Sequence, residues 1–309
     1  MELEKTYIYQ VWLQGSFSKA AEALFITQPA LSIAIKKVEK EIGAALFNRN
    51  QRPLTLTHVG ELYISHIKKE LLLEQELKQQ LDDLHGLQSG ELVIGGTHYM
   101  NAYLLPSYIT QFAETYPGVQ INMKETSSDQ LITLLKDNKL DFTFSCEESI
   151  IADFDSYHSF DDTILLAVPQ SFYLSKRLKG EALTASEVAA GRHLDPDCEA
   201  VSFKEFPAFN FIRISSHIDL GARTEKIFDE AGVVPRSKIV VPQLVTALSL
   251  AASGVGATLT SDRLITGNEN TLRFFKLRSR YTRRQYSLLL PHRSYTPSAV
   301  KAFIELIKK

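Results

Sequence analysis

Gln28, Ser32, Ile33 and Lys36 stand at i, i+4, i+5 and i+8, a spacing that gathers them on one face of a helix. Their chemistry suits the edge of a duplex. Gln can pair with adenine in the major groove, Ile33 can touch a thymine methyl, and Lys36 can meet a phosphate. Arg49 and Arg52 follow in a polar turn and suit phosphates or a minor groove. Ser18, Thr27 and Pro29, at the starts of two short apolar-periodic segments, complete this candidate surface.

These side chains need a scaffold. Ile8, Val11 and Trp12 recur at helical spacing, and Gly15 marks a helix end. Ser18 precedes "KAAEAL" and reads as the cap of a second helix packed through Ala20, Ala21 and Leu24. Thr27 reads as the cap of a third, with Pro29 in its first turn, where a missing N–H costs nothing. That helix runs to about Ile42 and turns Leu31, Ile35, Val38 and Ile42 inward. "ALFNRNQRPLTLT" then alternates around a polar turn, as a two-stranded wing would.

Composition narrows the setting. The 309 residues include 44% hydrophobic side chains, enough for two or three cores. A net charge of −2 excludes a histone-like polycation, yet residues 1–58 carry seven Lys/Arg against five Asp/Glu, a weakly basic module on an acidic remainder. No basic leader precedes an apolar run and no segment approaches the roughly 18 apolar residues of a membrane helix, so a cytoplasmic protein without membrane contact is expected. Cys146 and Cys198 are the only cysteines and read as buried thiols, not a disulfide or a zinc site.

The run Gly15-Ser16-Phe17, Ala20-Ala21, Leu24, Gln28-Pro29-Ala30-Leu31-Ser32, Glu39, Gly43, Leu46-Phe47, Arg49, Leu56-Thr57 and Gly60 resembles the winged helix-turn-helix of LysR-type transcriptional regulators. Leu104-Leu105-Pro106, Phe112, Tyr116-Pro117-Gly118-Val119, Leu131, Leu140-Asp141 and Gly254-Val255-Gly256 extend the resemblance through the rest of the chain. One departure is "ATLTSDRLI", which lacks the proline the family usually carries near Ser261 and so leaves the shape of that loop open.

The fold expected is an N-terminal winged helix-turn-helix at 1–58, a linker helix at 59–88, and an α/β bilobed effector domain at 89–309. The resemblance makes this last domain similar to type 2 periplasmic binding proteins. Its first lobe is expected at about 91–163 and 268–309, its second at about 164–267. The linker has no proline or glycine between Gly60 and Gly86 and would reach about 40 Å at 1.5 Å per residue. Ile67, Leu71, Leu77, Leu81 and Leu84 form its heptad-like stripe and are the candidate dimerisation residues. His66 and Glu70, at i and i+4, read as a solvated face, not a metal pair. The resemblance implies a homodimer or homotetramer on a double-stranded DNA operator with interrupted dyad symmetry, with RNA polymerase as a further partner such a regulator admits.

Beyond residue 90 strands and helices alternate, the signature of an α/β domain, and ligands in such sheets gather where strands end and helices begin. Thr97, His98, Ser127, Ser128 and Ser145 stand at such ends in the first lobe, and Ser215 and Gln243 in the second. They are the candidate effector contacts for a small, anionic metabolite held between the lobes. Helix capping is the simpler alternative for Thr97 and Ser128. No cofactor is expected. A solute receptor would share the bilobed fold but lack the head, and no GxSxG, HExxH or GxxxxGK[ST] supports an enzyme.

Overall fold

The computed structural model describes residues 3–49, 51, 53–84, 86–87, 90–206, 209–216 and 219–308, and the chain divides into two compact units, Met1–Leu84 and His85–Lys309. In the first, α1 (Leu3–Gln14), α2 (Phe17–Ala23) and α3 (Gln28–Ile42) bury Ile8, Val11, Ala20, Ala21, Leu31, Ile35 and Val38 in one core. Ile42, expected on the buried face, lies past that core and is 39% exposed. The cap of α2 is Ser16, not Ser18. The Ser16 hydroxyl accepts from Lys19 N, and Ser18 lies exposed inside the first turn. The helix starts early because Phe17, its first residue, packs edge-on against Phe47 of the wing, ring centroids 5.6 Å apart. Thr27 caps α3 by accepting from Ala30 N, and Gly43 closes it at φ +79, a left-handed conformation that favours glycine.

The wing is an antiparallel pair, β1 (Phe47–Asn48) and β2 (Thr55–Leu56). Thr57 then caps α4 (His58–Asp83), whose first turn lies so close to the wing that a Cβ at Gly60 would stand 2.0 Å from the Leu46 carbonyl oxygen. The near half of α4 belongs to the head's core, with Ile64 and Ile67 buried and Leu71 half-buried against it. Ile67 is therefore committed to this core and Leu71 partly so, because the apolar stripe turns inward there to cover α1 to α3. Lys5 of α1 donates to Glu70 of α4 at 2.7 Å, and Lys68 lies over the Trp12 ring at 4.6 Å. Hydrogen bonding to Lys5 holds the Glu70 carboxyl below its ordinary value. His66 Nε2 meets the same carboxylate at 3.0 Å, and no group of three metal-ligating side chains exists among the described residues. Farther along α4, Leu73, Leu77, Leu81 and Leu84 are all more than half exposed.

The second unit has two lobes. In the first, β3 (Glu91–Gly96) pairs in parallel with β4 (Gln120–Glu125). The first helix of this lobe begins as a wider π-turn, Met100–Leu104, before α5 (Leu105–Thr115). Pro106, with no N–H to donate one turn back, sits just beyond it. After α6 (Ser128–Lys136), β5 (Thr143–Ser145) pairs antiparallel with a late strand, and a short α7 (Glu148–Ile151) leads to β6 (Asp155–Pro169).

β6 passes through both lobes. Its near half, Asp155–Thr163, pairs with β11 (Arg283–Leu290), while its far half pairs with β9 (Thr258–Ser261) and β10 (Leu272–Lys276) in the second lobe. Between β6 and β9 come α8 (Lys176–Glu181), α9 (Ala185–Ala189), β7 (Asn210–Ile214), α10 (Asp219–Ala231), β8 (Arg236–Val241) and α11 (Leu244–Ala252). β7 and β8 pair in parallel, and a Phe211–Ala257 bridge joins them toward β9. β10, expected in the first lobe, is a second-lobe strand. Its Phe274 pairs with Leu183 and its Phe275 ring lies 5.0 Å from Phe206, so the chain returns between β10 and β11, not before residue 268. The closing α12 (Ser298–Ile307) buries Phe303 against Phe112 and Phe142 of the first lobe. Arg293, just before it, is buried with Asp141 at 2.8 Å and also donates to Asn138 and Leu140 carbonyl oxygens. Cys146 and Cys198 are free, buried thiols.

Candidate nucleic-acid interface and effector cavity

α3 splits its residues as its period demands. Leu31, Ile35 and Val38 are buried, while Gln28, Pro29, Ile33 and Lys36 are exposed and Ser32 is half-buried. Thr27 is exposed at the same end. Arg49, read as a phosphate contact, is tied inward. Its Nη2 donates to Glu39 Oε2 at 2.8 Å, its Nη1 to Ser32 Oγ at 3.0 Å, and its guanidinium lies 4.8 Å from the Phe17 ring centroid. Glu39 also accepts from Leu46 N at 2.8 Å, so one carboxylate clamps the start of the wing to α3. Sequence reasoning gave Glu39 no such role, although its place one residue past Val38, on the edge of the buried face, was the available signal. Arg52 lies outside the described residues.

In the second unit a cavity of about 70 Å³ lies between the lobes, lined among others by Thr97, Ser128 and Ser145 of the first lobe and Gln243 of the second. It has room for a handful of water-sized groups. Thr97 follows the Gly95-Gly96 end of β3, which packs so closely on the next turn that a Cβ on Gly96 would stand 2.0 Å from Asn101 Oδ1. The side chains of Thr97, Ser128 and Gln243 make no hydrogen bond among the described residues; Gln243 stands at the N-cap position of α11, but its side chain does not bond the helix. Ser145 is already engaged, accepting from Glu147 N at 3.1 Å. His98, Ser127 and Ser215 do not line the cavity. His98 turns outward to Glu125 at 3.2 Å, Ser127 is exposed one residue before α6, and the Ser215 backbone is fastened to β8 through Val241.

Part of the cavity's lining belongs to a buried ionic network that the sequence did not reveal. Arg284 of β11, 2% exposed, donates through Nε to Asp162 Oδ1 of β6 at 2.7 Å, pairs again with Asp162 Oδ2, and donates through Nη1 to Asp219 Oδ2 at 3.1 Å. Asp162 also accepts from Ser261 Oγ at 2.8 Å and from Tyr99 OH at 3.3 Å. Ser261, in the loop whose shape the sequence left open, is a member of this network through its hydroxyl, which also accepts from Arg263 N. Arg223 of α10 donates to Asp219 and to the Cys146 carbonyl oxygen, bridging the lobes. Burial alone would raise the Asp219 carboxyl, but Arg284 and Arg223 outweigh it and hold it below its ordinary value. Burial, then the Asp219 charge that accepts its S–H, pushes the Cys146 thiol up to about 12. Burial and the Asp162 charge likewise raise the Tyr99 phenol. The Arg284 guanidinium that lines the cavity is thus already committed to two carboxylates.

A winged helix-turn-helix joined to a bilobed α/β unit with a cavity at its strand ends defines the class of ligand-binding helix-turn-helix regulators. Residues 6–61 match the bacterial regulatory helix-turn-helix proteins of the lysR family, and residues 85–309 match the LysR substrate binding domain. The chain belongs to the LysR family, a family of transcriptional regulators. Among curated relatives, the probable RuBisCO transcriptional regulator of Cyanidioschyzon merolae (strain NIES-3377 / 10D) is 35% identical over 130 residues, 42% of this chain and 43% of that protein. The one of Porphyra purpurea is 32% identical over 168 residues, 53% of this chain and 52% of that protein. The chain thus matches about half the length of these relatives or less. The fold is also that of full-length CbnR crystallised with its target DNA (TM-score 0.62, 17% identity, 100% of this chain and 99% of that one) and of full-length BenM (TM-score 0.54, 22% identity, 100% and 96%). No helix among the described residues is long and apolar enough to cross a membrane.

Proposed function

We propose that this chain is a DNA-binding transcriptional regulator whose output is set by a small ligand between the two lobes. The observation that carries the reading is the coexistence of an exposed polar face on α3 with a cleft in which the side chains of Thr97, Ser128 and Gln243 have no hydrogen-bond partner among the described residues. Gln28 and Ile33 read base edges, while Lys36 and the wing meet phosphates. Arg49 sets the wing's angle through Glu39 and Ser32 in addition to any phosphate contact. Leu77, Leu81 and Leu84 pair the heads, with Leu73 added to that stripe, as a dimer on a two-fold operator or a tetramer on a longer one. RNA polymerase is the partner through which such a regulator acts, in the cytoplasm.

The ligand is a small, anionic metabolite whose acceptor end faces the N-terminus of α6 and the hydroxyls of Thr97 and Ser128, and which Gln243 contacts from the other lobe. Contacts from both lobes favour one arrangement over the other, the differential affinity that a switch requires. Sequencing the DNA retained by the purified protein tests the regulator reading, and retention without enrichment of any sequence rejects it. On an enriched site, Gln28→Ala is expected to weaken specific binding by about 1–3 kcal/mol and leave a scrambled duplex unaffected. Equal losses on both duplexes would remove Gln28 from base reading.

A further inference from the structure

The strands that cross between the lobes form a wall with two faces. β6 and β11 pair antiparallel with Arg283 opposite Thr163 and Arg284 opposite Asp162. Successive side chains in a strand point to opposite faces. Asp162 and Arg284 therefore meet beside the effector cavity, while Thr163 and Arg283 line a different cleft of about 790 Å³ on the other side. That cleft also takes His193, Arg263, Lys276 and Thr282 from both crossings and from the second lobe.

Its charges are only partly compensated. Arg283 pairs with Asp161 at 2.6 Å. Among the described residues the Arg263 guanidinium donates only to the Asp161 carbonyl oxygen, through Nε and Nη2, and the Lys276 ammonium only to the Asp195 carbonyl oxygen at 3.1 Å; neither side chain has a carboxylate partner there. His193, 3% exposed, holds Asp262 Oδ2 through Nε2 at 2.9 Å, and its buried Nδ1 has no hydrogen-bond partner among the described residues. The other oxygen of Asp262 accepts from Thr163 N at 3.0 Å, so the floor of the cleft is bonded to the crossing itself.

We infer that this outer cleft is a second binding site, for a small oxyanion held by Arg263 and Lys276 and completed by Arg283 and the Thr163 hydroxyl. A guanidinium and an ammonium with no carboxylate to neutralise them recognise phosphate and carboxylate alike. The site goes beyond the regulator reading, because it lies outside the cavity between the lobes. Its occupant would stiffen the crossing and, through Thr163–Asp262 and the neighbouring Asp162–Arg284 pair, bias the same lobe movement that the first ligand uses.

Calorimetric titration of the full-length chain with inorganic phosphate tests this, with acetate as a second arm and sodium chloride at matched ionic strength as the control. A saturable response to phosphate or acetate is expected, the arm that responds naming the head group, together with slowed amide exchange over residues 161–165 and 282–286. The double variant Arg263→Ala/Lys276→Ala should bind at least tenfold more weakly, and Lys276→Gln alone should also weaken binding; thermal melting of each variant verifies its fold. A response equal to that of chloride overturns the proposal, as does an affinity within twofold of the parent in the folded double variant. The titration reads ligand binding without DNA, so its failure would leave the regulator reading standing.

Discussion

Arg49 in the head and Arg284 in the effector unit each hold a carboxylate and each lie near an aromatic ring, yet they are different devices. Arg49 and Glu39 are 10 residues apart, and the arginine side chain is 31% exposed. Arg284 and Asp162 are 122 residues apart, and both are buried. Water screens the first pair, so it contributes modestly and chiefly sets an angle. The second has no solvent to fall back on, so its members depend on one another. A local clamp can thus be modified without loss of the head, whereas removing one member of the ionic wall between the lobes strands the others.

The largest expected effect comes from breaking the buried member. Arg284→Ala leaves Asp162 charged and unpaired in the interior and should destabilise the effector unit by about 3–5 kcal/mol, measured by urea unfolding. A loss below about 1 kcal/mol would show that water reaches the pair and would erase the contrast with Arg49. The two halves of α4 sharpen the same comparison. Ile67→Ala should cost the head about 2–5 kcal/mol because it empties a packed site. Leu77→Ala, on the exposed half, should change folding by less than about 0.5 kcal/mol and instead weaken self-association, read by light scattering. An unchanged association state would move the seam elsewhere.

Arg49→Ala should reduce the head's stability by at most about 1 kcal/mol while weakening operator binding through a displaced wing. Normal DNA affinity in that variant would show that the wing holds its angle without the clamp. The smallest effect is one of pH. Cys146 is protonated in the fold up to about 12, whereas an ordinary thiol ionises near 9.0. Its contribution to stability is present below the unfolded value and declines as pH rises from 9.0 toward 12, because only the unfolded state then releases the proton. Denaturant midpoints of the parent and Cys146→Ala should therefore converge over that range, and thiol labelling of the native parent should be slow at pH 8. Rapid labelling would show the site to be open.

The head was legible from its residues because its determinants are local. Gly15, Thr27, Pro29 and Gly43 act on the turn they occupy, and the period of α3 divides Leu31, Ile35 and Val38 from Gln28, Ile33 and Lys36 within one helix. Even there, Ser18 gave way to Ser16 once Phe17 found Phe47, a contact no cap rule contains. In the effector unit the alternation of strands and helices was readable, and Thr97, Ser128 and Gln243 were placed at strand ends by the same rule that places ligands. That rule ranks positions, not directions, which is why it could not separate them from His98, Ser127 and Ser215.

Residue types and their spacing were enough for the family, the elements of the head, the α/β character of the remainder and the apolar stripe of α4. The assembled fold was needed to show which half of that stripe is buried, which lobe receives β10, and that Asp162, Asp219, Ser261 and Arg284 meet. Capping and periodicity are set within a few residues of chain. The worth of a buried charge is set by groups brought to it from more than a hundred residues away, and by the exclusion of water that only the assembled lobes provide.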